Sequence, residues 1–143
     1  MTTTRIILAS AQQPYQRLFA ILSGHTIRFV TTMADAQDAL AGEPFDLVMI
    51  GAYFDESRMF DLLRQVRADA RYANVPVICF RGVVPVVNHF NREDVDVACR
   101  SIGATAFFDL AEFSDDAAGN AAVRSIISGI LPPTGPPRST ADP

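Results

Sequence analysis

The chain has 143 residues, of which 49% are apolar and 20% are charged, so it can fold around a hydrophobic core as one domain. Its net charge of -4 argues against a surface for nucleic acid or for anionic membranes. All twelve basic residues are arginines. The absence of lysine excludes P-loop phosphate binding and Schiff-base chemistry.

Five short apolar runs predict the strands of one domain over residues 1–130. The runs are too short for helices, and in chain order they cover residues 5–9, 25–31, 45–50, 75–80 and 104–110. A helical spacing of apolar residues follows each run. Because parallel strands covered on both faces are continuously apolar, the pattern predicts an α/β fold with a doubly wound, five-stranded parallel sheet between two layers of helices.

Caps and breakers predict where the helices begin and end. Pro14 suits the first turn of the first helix, which Gly24 ends. Hydroxyl and amide side chains are preferred N-caps, and the expected caps of the next four helices are Thr32, Ser57, Asn91 and Ser114. Five of the nine prolines fall in residues 131–143, which predicts a separate, disordered Pro-rich tail, with a Pro-rich ligand for another domain as the alternative.

The cysteine pattern, together with the lack of a predicted membrane-spanning or signal segment, predicts a cytoplasmic location. Cys79 and Cys99 lack a C-x-x-C spacing and lie in apolar or helical surroundings, which predicts two buried, reduced thiols. No apolar run approaches the roughly 18 residues of a membrane-spanning helix, and residues 1–5 lack the apolar segment of a signal peptide. We therefore expect a cytoplasmic protein with no membrane partner.

The working surface of a doubly wound sheet lies beyond the carboxyl ends of its strands. Here those ends lead into residues 10–13, 51–57, 81–87 and 109–112. Arg81 and Asp109 should end neighbouring strands, and we expect an ion pair between them. The alternative is two solvated side chains, because ion pairs at a surface stabilise proteins little.

Four stretches of this sequence carry a resemblance to a known family. They read PFDLVMIG (44–51), MFDLLRQVR (59–67), VPVICF (75–80) and GATAFF (103–108). In order and spacing they resemble the motifs P-D-L-V-L-L-D, G-x-E-L-L-R-x-I-R, x-P-V-I-x-L and G-A-x-x-Y-L of response-regulator receiver domains. The resemblance covers residues 5–130. It implies the flavodoxin-like (βα)5 three-layer fold and a role in bacterial two-component signal transduction.

The residues with which receivers hold Mg²⁺ and accept a phosphoryl group do not match. The resemblance puts the acid pair at Ser10 and Ala11, the phosphoryl-accepting aspartate at Gly51, the hydroxyl at Arg81 and the lysine at Leu110. Without carboxylates there is no oxygen cage for Mg²⁺, and glycine has no nucleophile. The resemblance therefore implies a degenerate pseudo-receiver with an emptied pocket, no metal, no cofactor and no enzymatic activity.

Such a pseudo-receiver is expected to act by binding a protein. The partner would be a signalling kinase, a regulator or an output protein, or a second copy in a homodimer. In receivers the partner face is formed by the fourth helix, the fifth strand and the fifth helix. The candidates here are Val95, Arg100, Phe107, Phe108 and Phe113, some of which must belong to the core. Val86 and Val87, in a valine-rich segment after the fourth strand, are further candidates. The alternative is that they extend the fourth strand or pack under the next helix.

Two other functions compete with this one. A small-molecule sensor would take an anionic or apolar ligand into the emptied pocket near Gly51 and Arg81, with Ser10 on its wall. A cryptic phospho-receiver would instead use Asp55 or Asp109 as its acceptor.

Overall fold

Five parallel strands form one sheet in the computed structural model, which describes residues 4–12, 15–82 and 91–131. In chain order the strands are β1 (Arg5–Ala9), β2 (Thr26–Val30), β3 (Leu47–Gly51), β4 (Val77–Arg81) and β5 (Ala106–Asp109). Their order across the sheet is β2-β1-β3-β4-β5, and every neighbouring pair is parallel. The predicted doubly wound α/β fold is therefore confirmed.

The α-helices of the described residues cover both faces of this sheet. They are α1 (Tyr15–Ile21), α2 (Met33–Gly42), α3 (Met59–Ala68), α4 (Arg92–Ile102) and α5 (Ala117–Ile130). Two short 3-10 turns, Ala70–Tyr72 and Leu110–Glu112, follow α3 and β5. None of the helices within the described part of the chain has the length and apolarity needed to cross a membrane.

Successive residues of each strand enter two separate cores. In β4, Cys79 belongs to the core under α2, α3 and α4, whereas Ile78 and Phe80 belong to the core under α1 and α5. All three are fully buried. This burial on both faces is the physical reason for the continuous apolar runs that predicted the strands.

Two of the predicted N-caps are confirmed. The Thr32 hydroxyl accepts a hydrogen bond from the Asp35 backbone N–H at 3.1 Å. The Asn91 side chain accepts from the Glu93 N–H at 2.7 Å. At the other end of α4, Gly103 adopts a φ of 135°, which favours glycine, and so ends the helix as expected.

The other two predicted N-caps are wrong. Ser57 has a φ of 69°, and α3 begins only after Arg58, which makes no side-chain cap. Ser114 lies two residues too early: Asp116 is the N-cap of α5, and its carboxylate accepts from the Gly119 N–H at 2.9 Å. The Ser114 hydroxyl donates to the same carboxylate at 2.7 Å, so it supports the cap without forming it.

The two predicted buried thiols are confirmed. Cys79 of β4 and Cys99 of α4 are free and fully buried. A hydrogen bond with Cys99, together with burial, raises the pKa of the Cys79 thiol well above its usual range. The thiol therefore keeps its proton and packs as a small apolar group.

Some predictions fall on residues that the structure does not describe. Pro14, the two valines Val86 and Val87, and residues 132–143 of the Pro-rich tail lie outside the described residues. The last described helix, α5, ends at Ile130.

Candidate functional site

The carboxyl edge of the sheet brings together the positions that the sequence singled out. Ser10 and Ala11 follow β1, and Gly51 ends the neighbouring strand β3. Ser10 is buried, and its backbone N–H donates to the Val30 carbonyl at 3.1 Å. Within the described residues, no three His, Cys, Asp or Glu side chains are grouped as metal ligands would be.

The side chain of Phe80 lies close to Gly51. A Cβ on Gly51 would lie 3.1 Å from the Phe80 ring and 3.2 Å from the Ser10 hydroxyl oxygen. The Phe80 ring stacks on Phe108 with 5.8 Å between centroids, which holds it in place. A ring from the next strand therefore lies close to the place where a side chain at position 51 would begin.

Arg81 and Asp109 form the ion pair expected from their strand positions. They are paired in the register of β4 and β5, and Arg81 Nε donates to Asp109 Oδ2 at 2.8 Å. Their side chains are only 9% and 5% exposed, so the alternative of two solvated side chains does not apply. Asp109 Oδ1 also accepts from the Ala111 N–H at 2.9 Å, which fixes the turn after β5.

Leu110, at the position of the family's lysine, packs into the core. The loop that follows it is held by Arg17 of α1. Arg17 of α1 donates to the Leu110 carbonyl at 3.1 Å, to the Phe113 carbonyl at 3.0 Å and to the Ser114 carbonyl at 2.7 Å. Its Nε also donates to Asn120 Oδ1 at 2.9 Å. Arg17 was not predicted, because nothing in its local sequence indicates carbonyl partners 93 residues away.

Three of the five candidates for the partner face are buried and belong to the core, so these three are not available to a partner. Val95 is 9% exposed, and Phe107 and Phe108 are 5% and 2% exposed. The two phenylalanines are successive residues of β5 and so point into the opposite cores of the domain. Val86 and Val87 lie outside the described residues.

Two other candidates do reach the surface beside α4 and β5. Arg100 is exposed on α4, where its Nε donates to Asp96 at 2.6 Å. Phe113, after β5, is half-buried. Val97 was not predicted, yet it is 63% exposed on α4, an unusual position for a large apolar side chain. Arg100 and Phe113 are therefore the candidates of the predicted partner face that reach the surface, and Val97 lies beside them on α4.

The loop between β3 and α3 has a left-handed backbone. Asp55, Glu56 and Ser57 have φ values of 42°, 59° and 69°, a backbone conformation that residues other than glycine rarely adopt. Asp55 Oδ2 accepts from the Met33 N–H at 2.7 Å and so ties this loop to the first turn of α2. Arg58, just before α3, also pairs with this carboxylate at 3.7 Å, so Asp55 lies between the starts of α2 and α3.

A cavity of about 350 Å³ lies beside Arg81. It lies between the β3–α3 loop, α3 and α4, and its wall is mostly apolar. The lining residues are Ala52, Tyr53, Ser57, Met59, Phe60, Arg81, Asp94, Val95 and Ala98. Ser10 and Gly51 are not among them, so Arg81 is the position shared between this cavity and the site at which receivers accept a phosphoryl group.

No protein-family model matches this sequence, and neither does any curated protein. Solved structures do share its fold. A response regulator from Hahella chejuensis superimposes with a TM-score of 0.71 at 15% identity, over 94% of this chain and 100% of that one. The signal receiver domain of a DNA-binding response regulator from Colwellia psychrerythraea gives 0.62 at 16% identity, over 87% and 98%.

A third solved structure is the phosphorylated cyanobacterial phytochrome response regulator RcpA, with a TM-score of 0.65 at 13% identity over 90% of this chain and 91% of that one. All three are response regulators or their receiver domains. The chain therefore has the flavodoxin-like fold of response-regulator receiver domains.

Proposed function

We propose that this protein is a pseudo-receiver: a receiver-fold module of bacterial signal transduction that binds a protein partner without being phosphorylated and catalyses no reaction. One observation carries the proposal. At the carboxyl edge of the sheet, Gly51 lies against the Phe80 ring, and Arg81 is paired with Asp109.

Phosphoryl transfer at this edge lacks both of the groups that it needs. The acceptor must be a nucleophile, and Mg²⁺ must be held by oxygen ligands that carry negative charge. Gly51, at the position of the acceptor, has no side chain. Ser10 and Ala11, at the positions of the two Mg²⁺-binding acids, carry no negative charge. The nearby carboxylate of Asp109 is already neutralised by Arg81.

The same contacts hold the neighbouring loops in one arrangement. The Arg81–Asp109 pair joins the ends of β4 and β5, and Arg17 fixes the loop that follows β5. In an active receiver, a phosphoryl group holds the loops in one arrangement by ordering the residues around it. With protein side chains in that role, the surface of α4 and β5 is ready for a partner at all times.

Binding of a phosphoryl mimic tests the first half of the proposal. We expect Mg²⁺ with beryllofluoride to leave the amide NMR signals of Ser10, Gly51, Arg81 and Asp109 unchanged, because no carboxylate can hold either group. A receiver with the full set of acidic residues serves as the control under identical conditions. Saturable shifts clustered at these four residues would contradict the proposal.

A charge reversal on α4 tests the second half. We expect Arg100→Glu to weaken binding of a purified protein partner about tenfold, because a charge at the edge of an interface would be reversed. Arg64→Glu is the matched control: Arg64 is an exposed arginine on α3 that also pairs with an acid of its own helix, as Arg100 does.

The partner is to be identified by affinity capture and then titrated in purified form against both variants. Sedimentation of the pure chain shows whether the partner is a second copy. Equal affinity of the two variants would remove α4 from the interface and with it this part of the proposal.

A further inference from the structure

The cavity beside Arg81 has the size and wall of a small-molecule site. Its volume of about 350 Å³ lies within the range of about 300–1,000 Å³ that is usual for ligand pockets. Met59, Phe60, Val95 and Ala98 give most of its wall a hydrocarbon surface. The cavity opens at the carboxyl edge of the sheet, where doubly wound domains bind their ligands.

One wall of the cavity is formed by the β3–α3 loop, whose left-handed backbone is stabilised by a contact with α2. Ala52, Tyr53 and Ser57 of the β3–α3 loop line it, and the left-handed stretch of the loop ends at Ser57. Backbone in this conformation persists where neighbouring contacts hold it, and it is frequent at ligand sites. The hydrogen bond from the Met33 N–H to Asp55 supplies such a contact, so the wall is formed before a ligand arrives.

The charges at the cavity select the kind of ligand. Arg81 is neutralised by Asp109. Asp94, in the first turn of α4, is exposed, and no ion pair or hydrogen bond joins its carboxylate to another described residue. Its neighbour Glu93 does not line the cavity. A negative charge at the rim of an apolar cavity complements a ligand with an apolar body and one positive group.

We propose that this cavity binds a small hydrophobic amine, with its ammonium group at Asp94 and its apolar body against Met59, Phe60 and Val95. The ammonium group donates hydrogen bonds to the Asp94 carboxylate, and the apolar body leaves water for the hydrocarbon wall. This site goes beyond the proposed protein interaction and does not depend on it.

Three probes of matched shape test the assignment. Phenethylamine, phenethyl alcohol and phenylacetate share a phenyl ring and a short chain, and they carry a positive, no and a negative charge. Each is titrated into the full chain while the NMR signals of Ala52, Met59 and Ala98 are followed. We expect saturable shifts, with phenethylamine bound about fivefold more tightly than the alcohol and phenylacetate bound most weakly.

Three variants complete the test. Asp94→Asn should remove the preference for the amine and leave the affinity for the alcohol unchanged, whereas Glu93→Gln, one residue away, should change neither. Ala98→Phe should fill the cavity and abolish binding of all three probes. If Ala98→Phe fails to fold, the Asp94 and Glu93 variants, both at exposed positions, still decide the question.

Three results would overturn the proposal. The first is that none of the probes shifts the signals of the cavity residues. The second is equal affinity for the three probes, and the third is an amine preference that survives Asp94→Asn. Each of these leaves the test with the phosphoryl mimic untouched, so the two proposals fail separately.

Discussion

Gly119→Ala is expected to lower the free energy of unfolding by about 3 kcal/mol, the range of a severe steric clash in a packed region. A Cβ on Gly119 would lie 1.7 Å from the Ser114 carbonyl oxygen, 2.6 Å from its carbonyl carbon and 2.7 Å from its nitrogen. These are backbone atoms, so they cannot turn away as a side chain does. The first turn of α5 must move instead, which also breaks the cap between Asp116 and the Gly119 N–H.

Gly129→Ala in the same helix is the matched control. An added Cβ at Gly129 meets no atom within 4 Å, and alanine favours a helix over glycine by about 1 kcal/mol, so this variant should be slightly more stable than the natural chain. Urea denaturation of the two variants beside the natural chain measures both effects. A Gly119→Ala variant within about 0.5 kcal/mol of the natural chain would show that α5 does not start against Ser114 as described.

The strands were predictable because one physical requirement controls them. A parallel sheet covered on both faces needs apolar residues at successive positions, as Ile78 and Cys79 show. The start of a helix depends on which of several neighbouring residues becomes the N-cap. Ser114 has the right side chain for an N-cap, but Asp116 forms the cap, and the left-handed φ of Ser57 excludes it from the start of α3.

The candidate site was predictable only in part, and for a related reason. The loss of acids at Ser10, Ala11 and Gly51 was predictable through the resemblance to receiver domains, which assigns the acidic residues to these positions at the ends of β1 and β3. What lies beside Gly51 is set by the register between strands: Phe80 is its partner in β4, and the Phe80 ring lies close to it. Register is a property of the folded sheet, so the sequence pattern did not predict this contact.

Asp109→Asn is expected to lower the free energy of unfolding by about 3 to 4 kcal/mol, because it removes the negative charge that faces the buried guanidinium of Arg81 at 2.8 Å. Asparagine keeps an oxygen that can accept from the Ala111 N–H, which Asp109 Oδ1 does at 2.9 Å. The loss therefore reports on the charge and not on the turn that follows β5. Urea denaturation measures it.

The control for this variant is an exposed pair of the same kind. Asp61→Asn removes the partner of Arg58 and Arg64 at the start of α3, where the three side chains are 48% to 61% exposed, and it should change the free energy of unfolding by less than about 1 kcal/mol. Equal effects of Asp61→Asn and Asp109→Asn would show that the Arg81–Asp109 pair is solvated in solution and does not hold the two strand ends together.

Removing both charges separates the stability of the pair from its role in binding. Arg81→Met with Asp109→Asn should recover most of the stability lost by Asp109→Asn alone, because no uncompensated charge stays buried. If this double variant is stable and still binds the partner, the pair serves only to neutralise the strand ends. If it is stable but binds at least about tenfold more weakly, a difference of roughly 1.4 kcal/mol, the pair sets the geometry of the partner surface, as the proposed function requires.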